Sequence, residues 1–235
     1  MNIVENKNIG TLSIVATPIG NMEDITLRAL RVLKEANYIL VEDTRVTGKL
    51  LKQYQIVTKM KRYDAHASET THLAIIDDIK NGLKIALVSD AGTPGVSDPG
   101  VLLVQQARQE GLRVDAIPGA SAVTAAFSIA GLVGNQFSFL GFVPQKKGRQ
   151  TFFNDLVLYN HPVVFFEATH RIMKTLESLC KLNTIHNSVD ITVYLGRELT
   201  KLHEEMLVGS PKELLQVLID TPVKQKGEFV VIVSV

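Results

Sequence analysis

Glu42-Asp43-Thr44-Arg45 sets three charged groups beside a small hydroxyl, where an apolar run ends and a helical pattern begins. Such a set can orient a hydroxyl, hold a phosphate or accept a proton. An N-cap made by Asp43 or Thr44 explains one residue of it. A structural ion pair explains two more, so both readings stand beside a functional one. His66, in Tyr63-Asp64-Ala65-His66, lies between a strand candidate and a helical pattern, and its unperturbed pKa falls nearest neutrality. By itself it reads as a solvated loop side chain.

The richest stretch is Ser89-Asp90-Ala91-Gly92-Thr93-Pro94-Gly95-Val96-Ser97-Asp98-Pro99-Gly100, with three Gly, two Pro and two Asp. An ordinary βα turn needs two or three such residues. Glycines let the backbone approach a ligand, and carboxylates can hold hydroxyls or a positive centre. Asp98 reads as a helix N-cap with Pro99 in the first turn.

Other chemistries are disfavoured. His66 and His72 lack metal-ligand spacing and no Cys/His cluster exists, so no metal site is expected. Thr17-Pro18-Ile19-Gly20-Asn21 lacks the spacing of a dinucleotide loop, and no phosphate-binding P-loop is present. Neither a Ser/His/Asp nor a Cys/His nucleophile arrangement is supported by spacing. Phe165-Phe166-Glu167-Ala168-Thr169-His170-Arg171 and Gly196-Arg197-Glu198-Leu199-Thr200-Lys201 each follow a strand candidate. Both combine Glu with Arg, as structural ion pairs also would. Lys146, Lys147 and Arg149 form the densest basic cluster, either solvated or in contact with phosphates.

Short apolar runs at 12–16, 38–41, 84–88 and 114–117 alternate with helical patterns at 24–36, 44–54, 69–81 and 101–110. That is the rhythm of βαβ units, so the first sheet should be mostly parallel. Its strand-end loops should then open at one edge, where open α/β sheets bind ligands. Residues 134–150 read as a linker carrying a basic loop. Beyond it, helices at 151–159, 171–182 and 211–219 and strands at 163–167, 190–195, 204–208 and 227–235 suggest antiparallel pairs. Two α/β domains are expected, 1–137 and 138–235.

The 235 residues are 46% hydrophobic and 21% charged with net charge +1, an ordinary globular composition without global attraction to nucleic acid. A single Cys180 excludes an internal disulfide and suits a reducing compartment. The first ten residues are polar and no run is long enough to span a membrane, so a cytoplasmic protein is expected.

The motifs taken in order are similar to a known family. Thr17-Pro18-Ile19-Gly20-Asn21, Glu42-Asp43-Thr44-Arg45, Ser89-Asp90-Ala91-Gly92-Thr93-Pro94 and Ser97-Asp98-Pro99-Gly100 resemble bacterial small-subunit rRNA ribose methyltransferases I. Pro118-Gly119, Phe166-Glu167-Ala168-Thr169-His170-Arg171, Arg197-Glu198-Leu199-Thr200-Lys201 and Lys226-Gly227-Glu228 continue the likeness, from residue 11 to about 233. The resemblance implies a tetrapyrrole-methylase-like fold with a mixed sheet in the second domain and an S-adenosylmethionine cleft between the domains. It also implies a homodimer, and methyl transfer to the ribose 2′-oxygen of a cytidine in the decoding region of 16S rRNA. Family members often carry a further helical tail, which this chain does not show after Val235, and a more His-rich stretch than the one around His66.

On that resemblance, Pro18, Asp90, Ala91, Gly92, Val96, Ser121 and Ala122 are expected to line the donor from the first half of the chain. Phe166, Glu167, Gly196 and Glu228 are expected to reach it from the second. Asp43 would take the acceptor's proton or orient the ribose, Arg45 would hold a phosphate or the developing alkoxide, and His66 is the reserve base. Lys146, Lys147 and Arg149, with Arg28 and Arg31 behind them, are the RNA candidates. Two alternatives are a small-molecule methyltransferase of the tetrapyrrole type and a non-catalytic donor-binding ribosome assembly factor. The 6% aromatic content, absence of Trp and basic loop fit a ribose-phosphate acceptor better than a planar macrocycle.

Overall fold

A computed structural model describes residues 10–64, 67–97, 100–185 and 190–235, the side chains of 183–185 apart. His66, Asp98 and Pro99 lie outside the described residues. The chain divides into two compact units, one up to Ser121 and one from Ala122.

The first unit runs β1 (Thr11–Val15), α1 (Leu27–Glu35), β2 (Tyr38–Val41), α2 (Thr44–Gln53), β3 (Met60–Arg62), α3 (Glu69–Lys80), β4 (Lys84–Leu87), α4 (Val101–Gln109) and β5 (Arg113–Ile117). The five strands form one parallel sheet in the order β3-β2-β4-β1-β5. A parallel sheet covered on both faces needs apolar side chains on both, and all four residues of β2 are buried. Ile39 and Val41 pack with Ala29 and Leu33 of α1 and Leu50 and Leu51 of α2. Tyr38 and Leu40, pointing the other way, pack with Ile75, Ile76 and Ile79 of α3 and Leu103 and Ala107 of α4. Thr26, Asp43 and Ser68 cap α1, α2 and α3 through their side chains. The N-cap of α4 is Gly100 at φ +116°, not Asp98. A Cβ there would come within 2.5 Å of Leu87 Cδ2, so glycine is required at this strand-to-helix passage.

The second unit runs α5 (Ala122–Ile129), β6 (Ser138–Phe142), α6 (Arg149–Leu156), β7 (Val163–Glu167), α7 (Ile172–Ile185), β8 (Thr192–Arg197), β9 (Glu205–Gly209), α8 (Pro211–Asp220) and β10 (Phe229–Ser234). Its sheet has the order β6-β7-β10-β8-β9. β7, β8 and β10 pair antiparallel, as do β8 and β9, while β6 runs parallel to β7. One sheet face is buried under α6, α7 and α8 through Phe153, Leu176, Leu179, Leu214 and Leu218.

Two sequence expectations change here. Residues 134–150 are not merely a linker: they contain β6 and the first two residues of α6. Gly141, which suggested a loop, sits at φ +66° where the β6–β7 register shifts, so it serves a bulge. The unit boundary falls at 121/122 rather than 137/138, because the small-residue helix α5 packs on β10 of the second sheet.

Candidate active site

All strands of the first sheet are parallel, so the loops after β1, β2, β3, β4 and β5 open at the same edge. Backbone pairing joins the first of these loops to the fourth: Thr17 N–H donates to Gly92 O at 2.9 Å and Gly92 N–H to Thr17 O at 3.1 Å. Thr17 Oγ1 donates to Ser89 O at 3.2 Å, and Thr93 Oγ1 to Ala120 O at 3.2 Å, which ties in the loop after β5. Gly92 has φ +80°, and a Cβ on Gly119 would lie 2.9 Å from Ala16 Cβ. The glycines therefore let three loops approach one another. Pro18 and Asp90 are half-buried beside this seam, and Ala91 and Val96 are exposed on it.

Asp90 carries the connection on to β2, since its Oδ1 accepts from Asp43 N–H at 3.1 Å. Asp43 accepts from Arg45 N–H at 2.8 Å as the α2 cap, and its carboxylate also pairs with the Arg45 guanidinium at 2.5 Å. The Arg45 hydrogen bonds, from side chain first and backbone second, hold Asp43 down to about 2. Its neighbour behaves oppositely. Burial, followed by the carboxylates of Asp90, Asp64 and Asp43, pushes Glu42 above the ordinary carboxylate range. Arg45 remains open to solvent, with 87% of its side chain exposed.

In the second unit the expected residues separate by sheet face. Phe166 and Gly196 both stand opposite Val230, so they share one face. Phe166 packs against Phe139 and Phe142 at centroid distances of 4.9 and 5.3 Å. Glu228 is linked through Lys201 Nζ at 3.0 Å to the loop after β8, and its carboxylate is exposed. Glu167 points to the opposite face. Its fully buried carboxylate meets Arg171 at 2.6 Å and Arg149 at 3.6 Å, and accepts from Thr175 Oγ1 at 2.5 Å. This corrects the reading of Arg149 as a phosphate contact. Its guanidinium turns inward from α6, donates to Thr175 Oγ1 at 3.0 Å and lies over the Phe153 ring. Lys146 and Lys147 remain exposed.

The family model for tetrapyrrole (corrin/porphyrin) methylases matches residues 11–215, spanning every strand named above except β10. The chain belongs to the tetrapyrrole methylase family. Among curated members of this family, it is 45% identical over 227 residues to the Halalkalibacterium halodurans protein named ribosomal RNA small subunit methyltransferase I, covering 96% of this chain and 76% of that one. The Thermotoga maritima protein of the same name is 40% identical over 226 residues, covering 96% and 99%. Among solved methylase structures, a cobalt precorrin-4 methyltransferase superposes with TM-score 0.71 at 16% identity, covering 98% of each chain, which establishes the common fold.

Tetrapyrrole methylases use S-adenosylmethionine, which when bound supplies an electrophilic methyl group on a sulfonium. The donor set fits it: the carboxylates of Glu42, Asp64 and Asp90 stand together at one strand edge, suited to a ligand bearing positive charge and hydroxyls. Among the described residues no group of His, Cys, Asp and Glu could hold a metal ion. No helix among them is long and apolar enough to cross a membrane. Glu42 was visible as part of a motif, but its distinction from Asp43 was not. The missing signal is the strand order β3-β2-β4, which sets Asp64, Glu42 and Asp90 at adjacent strand ends.

Proposed function

We propose that this methylase transfers the methyl group of S-adenosylmethionine to the ribose 2′-oxygen of a cytidine in the decoding region of 16S rRNA. The observation that carries the reading is near-full-length identity of 40–45% to proteins named for small-subunit rRNA methylation. Transfer from a sulfonium is a single displacement with a good leaving group, so the protein's task is positioning, worth on the order of 7–11 kcal/mol. Asp90, Ala91, Gly92, Pro18, Val96, Ser121 and Ala122 are assigned to the donor on the resemblance. Phe166, on the same sheet face as Gly196 with Val230 between them, offers an aromatic surface that suits an adenine ring. Glu167 supports this surface from the reverse face instead of touching the donor.

For the acceptor, a base helps when its pKa lies near the working pH. Glu42 meets that condition better than Asp43, so Glu42 takes the hydroxyl proton. Asp43, held ionised by Arg45, orients the ribose, and Arg45 keeps outward N–H groups for a flanking phosphate. His66 lies outside the described residues. The place of action is then the cytoplasm, with a second copy of the chain as partner in a homodimer.

Radiolabelled donor incubated with undermethylated small subunits should transfer label, and the labelled nucleotide should resist alkaline hydrolysis, as a 2′-O-methyl does. Label on a porphyrin precursor instead would favour a small-molecule methylase. Donor binding without turnover on either would leave an assembly factor. Phosphate contact through the basic loop is checked separately. Lys146→Ala with Lys147→Ala should flatten the log–log salt dependence of RNA binding by about 0.7 for each single-strand phosphate that the loop no longer neutralises. An unaltered slope makes the loop merely solvated.

A further inference from the structure

The first unit has an opening at the strand ends remote from the loops. A trough of about 260 Å³ lies between α1 and the starts of β1, β4 and β5. Its walls carry Arg28 and Arg31 of α1, Lys84 at the first position of β4 and Arg113 at the first position of β5. Four cations thus face two carboxylates, Glu35 and Asp115. Arg113 pairs with Asp115 at 3.0 Å and Arg31 with Glu35 at 3.5 Å, both exposed pairs of the weakly bound kind. Arg28 and Lys84 have no carboxylate partner among the described residues.

The floor is the less expected part. β1 lies between β4 and β5, where a parallel strand should be apolar on both faces. The face towards α1 instead carries Thr11 and Ser13 before returning to Val15. Ser13 is 9% exposed, lines the trough, and its hydroxyl has no hydrogen-bond partner among the described residues. That hydroxyl is reachable from the trough, where solvent or a ligand oxygen can satisfy it. Unpaired cations around such a hydroxyl suit the oxygens of a phosphate, to which guanidinium and ammonium groups donate charge-assisted bonds.

We propose that this trough docks a phosphodiester of the RNA strand flanking the methylated nucleotide. The inference rests on the rRNA methylation proposed for this chain. Measured along β1, the trough lies about 13 Å from the loop edge, four residue steps at strand rise. Contacts there fix the strand's register without touching the reacting ribose, as phosphate contacts do in nucleic-acid recognition generally.

The test compares Arg28→Gln/Lys84→Gln with Lys34→Gln/Lys52→Gln, which removes the same charge from exposed positions outside the trough. Binding of undermethylated small subunits is measured against salt, with inorganic phosphate as competitor, beside donor affinity and turnover. The trough variant should show a log–log slope shallower by about 1.4, the equivalent of two neutralised phosphates on a single strand, and the control variant should keep its slope. KM for subunits should rise in the trough variant, with kcat and donor affinity retained. Ser13→Ala, which removes only the hydroxyl, should weaken subunit binding without changing the slope. Equal slopes in wild type and trough variant, or an equal flattening in the control, overturn the proposal. Loss of phosphate competition with subunit binding intact marks a small-anion pocket and overturns it too. If wild-type protein binds subunits but methylates nothing, the rRNA methylation reading fails while the slopes still decide the trough. Wild-type protein that binds no subunits overturns both.

Discussion

Glu42→Gln should lower the single-turnover methylation rate by about 10²–10⁴-fold, the range that a positioned general base supplies. The amide keeps the size and hydrogen-bonding reach of the carboxyl but cannot take a proton at neutral pH. Donor affinity, measured by calorimetry, should fall far less than the rate, because Asp90, Asp64 and the glycine-joined loops are untouched. A folding defect is separable from this effect by its sign. Glu42 has a pKa raised above the 4.5 of an unfolded chain, by burial first and by Asp90, Asp64 and Asp43 second. Between 4.5 and that raised value the folded state binds the extra proton, so stability declines as pH rises through the window. Ionised Glu42 is thus a cost to the fold at neutral pH, and Glu42→Gln should unfold no more easily than the parent. A variant that is catalytically poor and yet as stable as the parent has lost chemistry. A near-normal rate removes Glu42 as the base and leaves positioning alone.

The pH profile gives a second reading of the same group. The rate should climb with pH through the raised Glu42 pKa, since only the carboxylate accepts a proton. Asp64→Asn removes one of the negative charges that raise it, so the acid limb should move to lower pH. Asp43 offers no such limb in the working range, because Arg45 holds it at about 2. Its depressed pKa favours the folded state above the usual 3.8, and that contribution is lost as pH falls through about 2.

Sequence alone carried the inner strands β2 and β4 because they are buried on both faces and therefore appear as apolar runs, whereas the exposed edge strand β3, Met60-Lys61-Arg62, leaves no such run. Tyr38-Ile39-Leu40-Val41 is the clearest case. The convergence of the strand-end loops followed from parallel pairing, and the bridge between Thr17 and Gly92 realises it. What stayed hidden depends on partners distant in the chain. β6 looked like a linker because its bulge needs Gly141, and its packing comes from Phe166 across the sheet. Glu42 and Asp43 are adjacent in sequence and alike in type, yet strand order gives one a carboxylate cluster and helix capping gives the other an arginine. Arg149 looked like Lys146 and Lys147 until α6 set its phase, turning one cation of the three inward. Glu167 is parted from Phe166 by the two-residue period of a strand, which fixes opposite faces once one face is known.

That inward network defines the largest stability effect expected in the molecule. Glu167→Ala leaves Arg149 and Arg171 facing each other without their shared counter-charge, at sites where their side chains are only 19% and 13% exposed. Breaking a buried ion pair from one side destabilises by about 3–5 kcal/mol, because the remaining charge is uncompensated. Two guanidiniums are stranded here, and Arg171 Nε already has no hydrogen-bond partner among the described residues. Thr175 Oγ1 loses its acceptor as well, while Ala168 N–H loses the 2.8 Å bond that turns the chain out of β7. Equilibrium urea denaturation should read the loss directly. Replacing the whole set, Glu167→Met with Arg149→Met and Arg171→Leu, should recover much of it, since well-packed apolar groups can substitute for a buried ionic cluster. Glu167→Gln decides between support and ligand contact. Its single amide oxygen can keep either the Ala168 or the Thr175 bond, which go to different carboxylate oxygens, so the fold weakens through the missing charge and one lost bond. Donor affinity should then be unchanged, because the side chain lies on the face away from Phe166 and Gly196. A sharp fall in donor affinity with the folded baseline intact would return Glu167 to the binding surface and leave its arginines as its orienting partners.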